Sequence, residues 1–118
     1  MSLVAMYESS VRRKKDEISR LKTDRVRYVN IVSDCSKKIL SATKQANSTK
    51  SASALKSRMN EIERENKKKT EAEKKITEYD KKIANKEKEL LERFIYLATE
   101  DQLKLIGYAD SLNSKVTN

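Results

Sequence analysis

Val4-Ala-Met-Tyr-Glu-Ser-Ser-Val11-Arg-Arg-Lys-Lys-Asp-Glu-Ile18-Ser-Arg-Leu21 places an apolar residue at every seventh position, with a companion three residues on. The first row continues as Val4, Val11, Ile18, Arg25, Val32, Ile39 and Ala46. The second runs Tyr7, Lys14, Leu21, Tyr28, Cys35 and Ala42. Alternating steps of three and four residues keep one stripe of a helix turned to a partner, so this ladder predicts a coiled-coil helix. Lys14 and Arg25 interrupt it.

The ladder stops at Gln45-Ala-Asn-Ser-Thr-Lys-Ser-Ala-Ser53, which holds no large apolar residue. Short hydroxyl and amide side chains bond to nearby backbone and favour turns and caps. The segment predicts one interhelical turn, with Ser51 or Ser53 capping the next helix. A second ladder follows: Leu55, Ile62, Lys69, Ile76, Ile83, Leu90 and Leu97. Its companion row, Met59, Asn66, Glu73, Asp80, Glu87 and Phe94, is mostly polar, and Ala72 and Tyr79 lie one position from it. Thr99 and Gln102 have the spacing of a capping box, which predicts a third short helix or a kinked extension near 100–112.

These readings predict an all-α antiparallel two-helix coiled-coil hairpin over residues 1–98. Helix 1 is expected at about 3–46, the turn at 47–52, helix 2 at 53–98, and a short helical appendage with a frayed tail at 99–118. Its seam is expected to comprise Val4, Tyr7, Val11, Ile18, Leu21, Tyr28, Val32, Ile39, Leu55, Met59, Ile62, Ile76, Ile83 and Leu90. Folding about residue 49 sets Ile39 against Met59, Leu21 against Ile76, and Tyr7 against Leu90. It also sets Arg25 against Glu73 as a seam ion pair.

Composition narrows the function. There is no Pro, no Trp, no His, one Gly (Gly107) and one Cys (Cys35). Without His, neither a Ser–His–Asp triad nor a Cys–His pair can form, and one Cys cannot build a zinc site. A single Gly excludes a glycine-rich phosphate loop. The reading is therefore non-enzymatic, with no catalytic, cofactor or metal residues and no small-molecule substrate. The chain lacks an apolar run of membrane-spanning length and the apolar core of a cleaved signal peptide. A cytoplasmic protein is expected, or one exported without a cleaved signal. Cys35 reads as a small buried seam residue.

Charged residues make up 38% of the chain, 27 Lys and Arg against 18 Asp and Glu, for a net +9. That excess favours electrostatic contact with polyanions. The aromatic residues are few, and Tyr7 and Tyr28 sit on the seam, so no base-stacking set accompanies it. Specific nucleic-acid recognition is not expected. A lone hairpin would leave Val26, Val29, Leu40 and Ile95 uncovered, which predicts a homo-oligomer, such as a helical bundle, or a helical protein partner. Phe94, Ile95, Leu97, Leu103 and Ile106 are the expected oligomer or partner surface.

Two resemblances bear on function. Thr49-Lys-Ser-Ala-Ser-Ala-Leu-Lys-Ser-Arg-Met-Asn-Glu-Ile-Glu-Arg64 and Glu73-Lys-Lys-Ile-Thr-Glu-Tyr-Asp-Lys-Lys-Ile-Ala-Asn-Lys-Glu-Lys-Glu-Leu90 resemble the N-terminal coiled-coil region that precedes TIR domains in some bacterial proteins. Tyr7-Glu8 and the segment Arg12–Leu21 are similar as well, so the likeness covers roughly residues 1–93. TIR domains signal or cleave NAD, often in anti-phage defence. The remaining residues are too few for such a domain, so the resemblance implies only a helper: an oligomerising or docking module. Tyr96-Leu-Ala-Thr-Glu100 resembles the Tyr-x-x-x-Glu tail signal of type VII secretion substrates. It implies the alternative of a small chaperone or targeting factor for a secreted toxin. A non-specific electrostatic nucleic-acid binder is the third reading.

Overall fold

In the computed structural model the backbone is described from Ser2 to Thr117, and side chains are described through Lys104 and at Gly107. Two helices make up the fold: α1 spans Leu3–Ser48 and α2 spans Ala52–Thr117. Ala, Lys, Glu and Leu dominate α2, Lys and Arg are frequent in α1, and no proline interrupts either, so the backbone meets little resistance to helix. Ser2 caps α1 by accepting from the Ala5 N–H at 3.1 Å. Ser51 does the same for α2, accepting from Ala54 at 3.3 Å on its hydroxyl and from Leu55 at 2.9 Å on its carbonyl. Between them Thr49 donates its backbone N–H to Gln45, and the Thr49 hydroxyl accepts from Ser51.

The chain divides into two compact units. The first combines Met1–Ser19 with Ala84–Asn118; the second is Arg20–Ile83, which includes the turn. Each pairs a piece of α1 with a piece of α2 running in the opposite direction. In the first, Val11 and Ile18 are buried, and Val4, Tyr7, Leu90 and Leu97 are half-buried. The ring of Tyr7 stacks on that of Tyr96, with centroids 5.4 Å apart and planes 3° from parallel. In the second, Cys35, Ala42, Ala72 and Ile83 are buried. Leu21, Tyr28, Val32, Ile39, Ile62 and Ile76 are half-buried, and Tyr28 packs against Tyr79 at 5.6 Å.

The structure corrects the expected seam of α2. Met59 is 59% exposed and Leu55 is exposed as well, so neither belongs to it. The companion row turned toward α1 is Arg58, Glu65, Ala72, Tyr79, Lys86 and Arg93, on the other flank of the apolar row. Long side chains such as Arg, Lys and Glu can lay their stems on apolar surface and carry the charge outward. Asn66 and Asp80, on the other row, are too short to do so, and they stay exposed together with Glu73. Choosing this row moves the register. Tyr7 meets Tyr96 rather than Leu90, and Arg25 bonds Asp80 (2.6 Å) rather than Glu73, one heptad further along α2. The expected Arg25–Glu73 pair is absent among the described residues.

The expected third helix is likewise part of α2, which runs through residue 99 without a break. The hydroxyl of Thr99, placed as a cap by its spacing to Gln102, instead donates to the carbonyl of Ile95 at 2.9 Å, within the helix. A threonine bonded this way satisfies itself without opening a new N-terminus.

Candidate interaction surfaces

Charge is divided between the units. The first carries nine basic and nine acidic side chains and is neutral; the second carries 18 basic and nine acidic, and so holds the whole excess of nine.

In the first unit the charges near the seam pair off. Lys14 and Lys86 both contact Glu89, and Lys86 lies 3.1 Å from Glu17. The Lys14 ammonium holds the Glu89 carboxyl below the usual carboxylate range, and Glu17 holds the Lys86 ammonium above the usual lysine value. Arg93 donates to the Ser10 hydroxyl at 3.2 Å. Lys14 therefore interrupts an apolar ladder without standing alone.

What remains uncovered on this unit is apolar. Leu91 is 59% exposed, Ile95 57% and Phe94 42%; Leu91 and Ile95 stand one helical turn apart. Leu3, Met6, Tyr96 and Leu103 are exposed as well. Phe94 carries the Lys15 ammonium 5.5 Å from its ring centre. Of the surface expected from sequence, Phe94, Ile95 and Leu103 face water. Leu97 is half-buried on the row turned toward α1. The side chain of Ile106 lies outside the described residues. Leu91 is the addition, and the signal was its spacing of four from Ile95. Residues 90–97 read Leu-Leu-Glu-Arg-Phe-Ile-Tyr-Leu, apolar nearly all the way round. A helix of that kind is ordinarily enclosed by neighbours.

Tyr96 and Glu100 lie inside α2, with the Tyr96 ring engaged by Tyr7 and Glu100 half-buried. The resemblance to a secretion signal expects this spacing after the second helix.

In the second unit the seam contains one polar layer. Glu65 is 7% exposed, and its Oε2 has no hydrogen-bond partner. Cys35, 4% exposed, donates its thiol to Glu65, and Lys68 lies 3.6 Å from Glu65 Oε1. The thiol bond, aided by Lys68 and Lys38, lowers the Glu65 pKa against the pull of burial. Burial and the adjacent carboxylate push the Cys35 thiol up, so it stays protonated and poorly nucleophilic at neutral pH. A carboxyl with a lowered pKa stabilises the fold above its ordinary titration range, and that contribution disappears as pH falls through the lowered value. Glu65→Gln, which resembles the protonated acid, is expected to unfold in less urea than the native protein at pH 7. The gap is expected to close on acidification, as followed by circular dichroism; a gap that widens would contradict the pairing.

Among the described residues no three His, Cys, Asp or Glu side chains cluster as a metal site, and no helix is long and apolar enough to cross a membrane. Comparison with protein-family models, curated proteins and solved structures returned no match.

Proposed function

We propose that the protein is a non-catalytic helical module that self-associates through the exposed apolar face of α2 in its first unit, and so organises a larger assembly. The observation that carries this is the run Leu91, Phe94 and Ile95, all exposed on a unit whose own charges cancel. Apolar surface outside a thin seam gains most from association, because each copy's patch is removed from water. Neutrality means that two such units meet without Coulomb repulsion. The seam is thin: no large side chain among the described residues is completely buried. The absence of His removes the Ser–His and Cys–His machinery, which supports a structural role. The likeness to coiled-coil regions that precede TIR domains supports placing the module as a helper in a bacterial anti-phage system. A single unpaired Cys suits a reducing cytoplasm.

Light scattering across concentration tests the core of this reading. The expected mass is at least twice 13.6 kDa, and it should persist from about 0.1 to 1 M salt, where surface charges are screened. A monomer at every concentration would sink self-association.

A further inference from the structure

The second unit carries a groove of about 510 Å³ between α1 and α2. Tyr28, Ile31 and Ala72 form its apolar part, and three lysines, Lys68, Lys74 and Lys75, line it together with two carboxylates, Glu71 and Glu78. We propose that this groove docks an acidic amphipathic helix of a partner protein.

Ile31 is the first reason. The residues one heptad before and after it, Asp24 and Lys38, are charged, yet Ile31 is apolar and 40% exposed. Across from it, α2 presents Ala72 on its inner row, between the much larger Glu65 and Tyr79. A small residue flanked by large ones leaves a depression, and the groove is found there.

Charge supplies the second reason. The unit's net +9 is surplus to its internal pairs, and an acidic partner is drawn to this unit rather than to the neutral one. On the rim, Lys75 lies 3.4 Å from Glu78 and Lys68 pairs with Glu65, while Lys74 makes no ion pair among the described residues. The lining on α2 extends from Lys68 to Glu78, about 15 Å at the helical rise, or three turns of a docked helix. Apolar anchors three and four residues apart would meet Ile31 and Ala72, with carboxylates turned to the lysines.

A nucleic acid fits less well. It would need exposed rings for stacking, and here Tyr28 packs on Tyr79 while Lys82 lies 5.2 Å from the centre of the Tyr79 ring. Phosphates gain nothing from an apolar floor.

The proposal does not rest on self-association, and its test keeps the two apart. Fluorescence anisotropy on the full chain would compare three labelled probes in about 0.15 M salt. The first is a helical peptide of roughly 14 residues, with leucines at the spacing of one helix face and glutamates elsewhere. The second is the same composition with the leucines scattered round the helix, and the third a single-stranded DNA of equal charge. The patterned peptide is expected to bind at least tenfold more tightly than the scattered one. Ile31→Glu, at an exposed site, should erase that preference while leaving the helical spectrum unchanged. Leu91→Glu with Ile95→Glu should leave peptide binding intact, so that failure of self-association does not count against the groove. Equal binding of both peptides, no binding of either, tighter binding of DNA, or indifference to Ile31→Glu would each overturn the proposal.

Discussion

Ala42→Glu is expected to destabilise the protein by about 3 kcal/mol, the scale of an unpaired charge held in a packed interior. Ala42 is 1% exposed. Its methyl group occupies the inner face of α1 in the second unit, where any larger side chain must push α2 away. A carboxylate there must also give up water, and Arg58, the cation one heptad before Glu65 on the facing row, is already engaged by Glu61 at 3.0 Å. The neighbouring Thr43 is exposed, so Thr43→Glu is the matched control and should change stability by no more than about 0.5 kcal/mol. Urea unfolding followed by circular dichroism measures both. Equal effects at the two positions would mean that the helices do not pack along this face.

The second large effect is on mass rather than stability. Leu91→Glu combined with Ile95→Glu is expected to yield a folded monomer of 13.6 kDa. Both positions are more than half exposed, so the intramolecular seam loses little. In an assembly each copy forfeits two apolar contacts, on the order of 1 kcal/mol apiece, and gains two carboxylates that resist desolvation. At tenfold per 1.4 kcal/mol, affinity should fall by about 100-fold or more. Leu40→Glu makes the comparison specific. Leu40 is 57% exposed but belongs to the second unit, whose positive charge opposes self-contact. That variant should remain assembled. If it dissociates and the α2 variant does not, the interface lies on the wrong unit.

Both effects follow from a hairpin that covers one stripe of each helix and leaves the remaining faces to other molecules. The first unit leaves an apolar face on balanced charge, which suits a second copy. The second leaves a groove on a basic background, which suits an acidic partner. The division follows from where the chain doubles back: α2 from residue 84 on carries one more acid than base and offsets the one surplus base at the start of α1, while its middle adds lysines to an already basic stretch.

The helical character of the chain and the turn near residue 49 were legible from residues alone, whereas the break expected at Thr99 is absent from α2. Heptad spacing is a local property, and the ladder of α1 is apolar on both of its rows, so only one face can turn inward. The side chains of that ladder, from Val4 to Ala46, are buried or half-buried. In α2 one row is apolar and both flanking rows are mixed, and spacing has no means of choosing between them. Packing chose the flank with Ala72, Tyr79 and long charged stems. That choice exposed Met59, moved Arg25 from Glu73 to Asp80, and brought Tyr7 onto Tyr96. It also created the Cys35–Glu65 layer and the groove beside Ile31. By itself, then, the sequence determined that the chain is helical with a turn near residue 49 and which face of the first helix is inward, because those depend on neighbours a few positions away. Only the tertiary structure decided which residues meet across the seam, because each such pair joins positions tens of residues apart, and its energy exists only once both helices are in place.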